Sequence, residues 1–128
     1  MKTIMVVDDE KDIRETLRLL LEKNGYKVIT AENGEDCIKK LKSVKPDLIL
    51  LDIMMPGLTT KEILDGIESD KSNRNVKIMF VTVVRLAEAE KDDILKRKNI
   101  VGYIEKPFDI DNLLKKIKEV LGDQNRSR

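Results

Sequence analysis

Short apolar runs alternate along the chain with longer segments in which apolar residues recur every three or four positions. Runs of the first kind are typical of buried β-strands, and segments of the second kind are typical of amphipathic helices. The predicted strands are residues 3–7, 26–31, 47–52, 76–82 and 100–104. The predicted helices are residues 10–24, about 35–43, about 60–69, 86–98 and 110–121.

Capping residues support the predicted helix boundaries. Thr59 or Thr60 is expected to cap the start of the third helix, and Asp109 the start of the last one. Gly122 is expected to end the last helix.

Five strands that alternate with five helices predict an α/β fold with a parallel sheet covered on both faces. For a chain of 128 residues, the best fit is one doubly wound five-stranded sheet, a flavodoxin-like (βα)5 unit with strand order 2-1-3-4-5. Residues 1–122 would form this single domain, and residues 123–128 a polar C-terminal tail. Strands 1 and 3 are neighbours in that order, at the point where such sheets bind ligands.

Composition narrows the possible functions. The net charge of +1 predicts no general attraction to nucleic acid or to a membrane surface. No apolar stretch approaches the ~20 residues that span a bilayer, and the N-terminus does not resemble a signal peptide, so we expect a cytoplasmic protein. The chain has no histidine, which excludes histidine-based catalysis and histidine metal ligands. Its single cysteine, Cys37, is expected to be a small core residue.

Acidic residues follow two of the predicted strands at the point where each strand ends. Asp8 and Asp9 come after strand 1, and Asp52 ends strand 3. If these strands are neighbours, three carboxylates meet and repel one another, which is tolerable only with a cation among them. Oxygen ligands without histidine indicate Mg²⁺, or Mn²⁺, rather than Zn²⁺. The alternative is that Asp8 and Asp9 only favour the start of the first helix and Asp52 only begins a turn.

Polar residues also follow strands 4 and 5. Lys106 comes after strand 5, where its ammonium could neutralise an oxyanion near Asp52; the alternative is a solvated surface lysine. The bond between Lys106 and Pro107 is a candidate for a cis peptide, although only about 5% of such bonds are cis. Thr82 ends strand 4 and offers a hydroxyl group; the alternative is a plain strand-forming residue.

Together these residues resemble the receiver domain of two-component response regulators. The resemblance covers residues 3 to about 121. Each motif is weak alone, but all five in this order and spacing are specific. The matching residues are Asp8-Asp9, Asp52 with the following Ile-Met-Met-Pro-Gly, Thr82, Tyr103-Ile104-Glu105 and Lys106-Pro107-Phe108.

The resemblance implies a phosphorelay function. Asp52 would accept a phosphoryl group from a sensor histidine kinase, and the protein would be a phosphoacceptor with slow self-phosphatase activity. The resemblance also assigns roles to the surrounding groups. A Mg²⁺ ion would be held by Asp8, Asp9, Asp52 and the backbone carbonyl of Met54. The phosphoryl oxygens would be held by Lys106 and Thr82.

The resemblance also implies a conformational switch. Thr82 would move inward on phosphorylation, and Tyr103 would turn from an exposed to a buried rotamer. This movement would reshape the face formed by the fourth helix, the fifth strand and the fifth helix, through which a downstream protein would bind. The chain would act as a monomer or as a phosphorylation-dependent dimer, without direct contact with nucleic acid or membrane.

Three apolar residues depart from the pattern of the family around Asp52. Val83 stands where the family usually has a small residue, so we expect slow phosphorylation by small donors and a faster reaction after Val83→Ala. Met54 and Val84 stand where polar side chains assist the hydrolytic water, so we expect a long-lived phosphoryl-aspartate. The alternative is that Met54 and Val84 are variable surface positions without a kinetic effect.

Other functions remain as alternatives to a stand-alone receiver. The chain could be a receiver fragment of a larger regulator or hybrid kinase, or a scaffold that is never phosphorylated. A phosphatase of the haloacid dehalogenase type would need a second aspartate two residues after the nucleophile, where this chain has Met54, and a cap domain. The presence of all the acidic and basic site residues argues against the scaffold.

Overall fold

The computed structural model describes residues 1–53, 55–82 and 96–122, with only the backbone of Thr82. Its strands are β1 (Thr3–Val7), β2 (Lys27–Ala31), β3 (Leu48–Leu51), β4 (Lys77–Thr82) and β5 (Ile100–Glu105). The helices within these ranges are α1 (Lys11–Lys23), α2 (Gly34–Leu41), α3 (Thr60–Glu68) and α4 (Ile110–Leu121), with a short 3-10 turn at Lys71–Asn73.

All five strands are parallel and lie in the order β2-β1-β3-β4-β5, which confirms the predicted α/β class and strand order. The inner strand β1 pairs with β2 on one side and with β3 on the other. Val7, the last residue of β1, lies opposite Ala31 of β2 and Leu51 of β3. The residues that follow Val7 and Leu51 therefore emerge side by side at one edge of the sheet.

Alternate residues of each strand face two separate apolar cores. Ile4 and Val6 of β1 face the core beneath α1 and α4, and Met5 and Val7 face the core beneath α2 and α3. This period of two is what a sheet covered on both faces requires. Because both faces are filled by aliphatic side chains, the strands are held in fixed positions, and the loops at their ends inherit those positions.

The helix ends follow local capping rules. Thr59 forms a capping box with Glu62: its hydroxyl accepts from the Glu62 amide at 3.1 Å, and its own amide donates to the Glu62 carboxylate at 2.8 Å. The side chain of Asp109 accepts from the Asp111 amide at 3.1 Å, as expected for the cap of α4. Gly122 follows α4 with a φ of +67°, a conformation that glycine adopts without strain.

The predicted helix over 86–98 falls largely on residues outside the described ranges. Its last three residues are described, and there the prediction is wrong, because residues 96–99 form turns that lead into β5. None of the helices in the described part of the chain has the length and apolar character needed to cross a membrane.

Candidate functional site

Two buried aspartates lie side by side at the carboxyl edge of the sheet. Asp8 follows β1 and is 2% exposed, and Asp52 follows β3 and is 6% exposed. The Asp52 amide donates to the Val7 carbonyl at 3.0 Å, which extends the pairing of β1 and β3 into the site. Asp9 is exposed beside them, and one carboxylate oxygen from each of the three residues lies within 4.8 Å of the others.

The ammonium of Lys106 enters this cluster from the loop after β5. Its Nζ lies 2.6 Å from Oδ2 of Asp8 and 3.5 Å from Oδ2 of Asp52, and its side chain is only 9% exposed. The peptide bond between Lys106 and Pro107 is cis. The ammonium is thus not a solvated surface group; it neutralises part of the negative charge and lies closer to Asp8 than to Asp52.

The pKa of Lys106 reflects two opposing effects. Burial of the ammonium disfavours its charged form, but the hydrogen bond to Asp8 and the charge of Asp52 outweigh this, so the pKa of Lys106 is raised above its usual range. Lys106 therefore carries its positive charge throughout the physiological pH range.

Asp8 is held by three neighbouring segments of the chain besides its contact with Lys106. Its amide donates to the Ala31 carbonyl at 3.2 Å, and its Oδ1 accepts from the Glu10 amide at 2.9 Å. Its carbonyl accepts from the Arg14 guanidinium at 2.8 Å. Asp8 therefore supports the start of α1 and also belongs to the carboxylate cluster.

Two glycines affect the loop after Asp52: Gly57 lies within it, and Gly34 lies in α2, which packs near it. Gly57 has a φ of +99°, which side chains other than glycine rarely adopt. Gly34, the first residue of α2, lies so close to α3 that a Cβ at this position would stand 2.4 Å from Cγ1 of Ile63 and 3.6 Å from Cβ of Leu58. The missing side chain lets α2 pack directly against α3 and against the loop that flanks the site.

The donor set fits a divalent cation that prefers oxygen ligands. With all groups ionised, three carboxylates and one ammonium leave two negative charges, which one Mg²⁺ or Mn²⁺ ion balances. Hard oxygen ligands without nitrogen or sulfur match Mg²⁺ in chemical type. Such a cation would offset the repulsion between the neighbouring carboxylates of Asp8 and Asp52.

The other predicted site residues are placed less completely. Thr82 ends β4 opposite Glu105 of β5, which brings its backbone to the same edge of the sheet. Tyr103 lies in β5 opposite Phe80, is half-buried and packs against the core beneath α2 and α3. The remaining three predicted residues lie outside the described ranges; they are Met54, Val83 and Val84.

Arg14 is a residue of the site that the sequence interpretation missed. It lies in α1, yet its guanidinium reaches back to the carbonyl of Asp8. Long side chains on a helix point toward the N-terminus, so an arginine in the first turns of α1 is within reach of the preceding strand end. That direction is the signal that could have identified it.

Comparison with known proteins identifies relatives of the whole described domain. The family model described as response regulator receiver domain matches residues 4–118. The alkaline phosphatase synthesis transcriptional regulatory protein PhoP of Bacillus subtilis is 40% identical over 122 residues, covering 94% of this chain and 48% of that protein. PilH of Pseudomonas aeruginosa is 35% identical over 122 residues, covering 94% of this chain and 98% of that protein. The chain thus spans about half the length of PhoP and nearly all of PilH.

Solved structures share the fold. The response regulator TrrA from Thermotoga maritima, determined in complex with Mg²⁺-BeF, is 38% identical with a TM-score of 0.77, covering 94% of this chain and 99% of that one. The chemotaxis protein CheY4 of Vibrio cholerae is 28% identical with a TM-score of 0.84, covering 94% of this chain and 98% of that one.

Proposed function

Because this chain belongs to the family of response regulator receiver domains, we propose that Asp52 accepts a phosphoryl group from a sensor histidine kinase. The observation that carries the proposal is the meeting of three carboxylates at one edge of the sheet with the buried ammonium of Lys106. A structural role alone does not account for like charges gathered in this way. The family match supports the same role for Asp52.

The transfer is a substitution at phosphorus. An oxygen of the Asp52 carboxylate attacks the phosphorus of a phosphohistidine, the new O–P bond forms as the N–P bond breaks, and the leaving imidazole keeps the electron pair and takes a proton from water. Slow attack of water on the acyl phosphate then releases inorganic phosphate and restores the carboxylate, which is the self-phosphatase activity.

The neighbouring residues would prepare this reaction electrostatically. Asp8, Asp9 and Asp52 would hold Mg²⁺, or Mn²⁺, with the Met54 carbonyl as a further ligand. When bound, the ion supplies positive charge against the phosphoryl oxygens. Lys106, 3.5 Å from Asp52, provides a second positive charge on the same side. The relative TrrA, solved with Mg²⁺-BeF, supports this assignment.

Phosphorylation of Asp52 would be passed on to partners as a change in the shape of one surface of the domain. In this proposal, the hydroxyl of Thr82 binds a phosphoryl oxygen and Tyr103 turns inward. These movements reshape the face made by the segment between β4 and β5, by β5 itself and by α4, for a downstream protein or a second copy of the chain. Tyr103 is half-buried against the core beneath α2 and α3, so an inward turn would increase its burial.

The rate of the reaction would be set by apolar residues beside Asp52. Val83 would slow the reaction with small phosphodonors, and Met54 and Val84 would extend the lifetime of the phosphoryl-aspartate.

The kinase that donates the phosphoryl group would need a surface to bind beside the site. An apolar groove of 580 Å³ lies between α1 and the loop after Lys106 and would offer such a surface.

The relatives support two ways in which a receiver of this kind could be used. Similarity to PilH over nearly all of its length suits a receiver that acts alone. Similarity to about half of PhoP suits the receiver part of a longer regulator. The match to the receiver family gives no support to a phosphatase of the haloacid dehalogenase type.

Intact mass spectrometry after incubation with acetyl phosphate and Mg²⁺ tests the proposal. We expect wild type to gain the mass of one phosphoryl group, and Asp52→Asn to gain none. Asp12→Asn, which removes an exposed carboxylate from α1, is the matched control and should react like wild type. No gain in wild type with either acetyl phosphate or a phosphorylated kinase would favour the scaffold, and a gain that survives Asp52→Asn would refute the site.

A further inference from the structure

Every hydrogen-bonding group of Asp8 has a partner. Its amide binds the end of β2, and its two carboxylate oxygens bind the Glu10 amide and the Lys106 ammonium. Its carbonyl, the remaining group, accepts from the Arg14 guanidinium at 2.8 Å. The first three contacts fix Asp8 itself, so the contact with Arg14 is not needed to place the Asp8 side chain.

The contact with Arg14 instead acts on the next residue. The Asp8 carbonyl and the Asp9 amide belong to one planar peptide unit, so a donor fixed to that carbonyl fixes the direction in which the chain enters Asp9. Asp9 is the exposed member of the carboxylate cluster, and burial does not hold it in place as it holds Asp8 and Asp52. The orientation of its backbone therefore limits the positions that its carboxylate can reach.

The positive charge of Arg14 allows its effect on metal binding to be separated from the effect of its hydrogen bond. A guanidinium next to a cation site weakens cation binding through Coulomb repulsion, an effect that solvent reduces by screening the charges. An arginine at this position would therefore oppose metal binding unless its hydrogen bond has a compensating benefit. The two effects have opposite signs, and substitution separates them.

We propose that Arg14 is a positioning residue that orients Asp9 for Mg²⁺ by holding the peptide between Asp8 and Asp9. The proposal rests on the proposed function, because it assumes that the carboxylate cluster binds Mg²⁺. It extends that function by assigning to α1 a residue that acts on the metal through the backbone rather than as a ligand.

Calorimetric titration with Mg²⁺ tests the proposal on four proteins. We expect Arg14→Met to bind Mg²⁺ roughly five- to tenfold more weakly than wild type, the effect of losing one charge-assisted hydrogen bond. Arg14→Lys, which keeps the charge, should recover part of that loss. Arg18→Met removes the same charge one turn later, where the side chain pairs with Glu15 and Glu22, and should bind Mg²⁺ like wild type or slightly more tightly.

A double-mutant cycle with Asp9→Asn shows whether Arg14 acts through Asp9. If it does, Arg14→Met should cause little further loss of Mg²⁺ affinity in the Asp9→Asn background. A merely structural role would lower the free energy of unfolding in EDTA and leave the Mg²⁺ affinity unchanged. Should Arg14→Met fail to fold, Arg14→Lys in the same cycle gives the answer.

Two results would overturn the inference alone. One is Mg²⁺ binding by Arg14→Met that equals or exceeds that of wild type, which would leave only the charge effect. The other is an equal loss of affinity with and without the Asp9 carboxylate. A wild-type protein that binds no Mg²⁺ would overturn the inference together with the proposed metal site, so the two failures are distinguishable.

Discussion

The two edges of the sheet bury polar side chains of opposite character. In the described part of the chain, four polar or charged residues are buried: Asp8 and Asp52 at the carboxyl edge, and Asn73 and Asn99 before β4 and β5 at the amino edge. One edge buries carboxylates and the other buries amides. The difference separates the proposed functional site from a pair of residues that hold the fold together.

The amides of the amino edge are neutral and bonded to the loops around them. Nδ2 of Asn99 donates to the carbonyls of Val76 at 2.6 Å and Arg74 at 3.2 Å. Nδ2 of Asn73 donates to the Ile67 carbonyl at 3.1 Å, and its oxygen accepts from Lys45. Each amide donates to backbone carbonyls of the surrounding chain, so both residues stabilise the fold.

The carboxylates of the carboxyl edge, in contrast, are charged groups that repel one another. Asp8 and Asp52 carry the same charge, share one ammonium and lie beside a third carboxylate. Such an arrangement opposes folding in the absence of a cation, and proteins retain it where function requires it. The same chemical exchange between amide and carboxylate should therefore have opposite effects on stability at the two edges.

The largest effect is expected for Asn99→Asp at the amino edge. The exchange keeps the shape of the side chain but turns a carboxylate toward two carbonyl oxygens, so we expect the free energy of unfolding at pH 7 to fall by about 3 kcal/mol. Urea denaturation in EDTA measures it. Asn75→Asp, at an exposed position of the loop before β4, is the control and should change stability by less than about 0.5 kcal/mol. Equal effects of the two substitutions would contradict the structural role of Asn99.

The reverse exchange, Asp52→Asn, should stabilise the protein in the absence of metal. It relieves the repulsion with Asp8 and Asp9, while Lys106 keeps its closer partner Asp8, so we expect a gain of about 1 kcal/mol in EDTA. Added Mg²⁺ should then raise the free energy of unfolding of wild type far more than that of the variant, because only wild type retains the full ligand set.

Asp12→Asn is the control for this second exchange. It removes an exposed carboxylate from the first turn of α1 and should cause only a small loss of stability, since that charge favours the helix N-terminus. If Asp52→Asn instead lowered the free energy of unfolding in EDTA, the Asp52 carboxylate would be a structural group and the contrast between the two edges would fail.

The pattern of apolar and polar residues was sufficient to predict the fold and the meeting of Asp8 and Asp52 at the carboxyl edge of the sheet. Alternating apolar runs determine which strands are buried, and crossover rules then place β1 beside β3, so Asp8 and Asp52 had to meet. The amino edge was not predictable in this way. Asn73 lies in a polar stretch that indicates only a loop, because burial of a loop amide depends on how neighbouring loops close over it.

The hydrogen-bond and ion-pair partners of side chains at the site also could not be predicted from the sequence pattern. The sequence placed Lys106 near Asp52, but its rotamer brings it closer to Asp8. A long flexible side chain has several acceptors within reach, and packing around it selects one. Arg14 was missed for the same reason, since its backbone position on α1 does not reveal the acceptor that its guanidinium finds.

The smallest effect concerns Cys37, which shows what burial does to an acid without a cationic partner. Its side chain is fully buried in the core beneath α2 and α3, and burial, helped by the charge of Asp36, raises the pKa of the thiol to about 12 from 9.0. The folded protein therefore keeps a proton that the unfolded chain loses above pH 9. Stability is complete below that pH and is lost as pH rises toward 12.

This loss can be measured by comparing how steeply the free energy of unfolding falls with rising pH in wild type and in Cys37→Ala. By pH 9.5 the thiol should reduce the free energy of unfolding by about 0.8 kcal/mol relative to pH 7, a decrease that the alanine variant lacks. Removal of the sulfur lowers stability by a constant amount, and other groups titrate alike in both proteins, so urea denaturation with a reductant isolates the thiol. Equal slopes would mean that the thiol ionises in the folded state. A difference would show that burial, helped by the charge of Asp36, keeps the Cys37 thiol neutral in the folded protein.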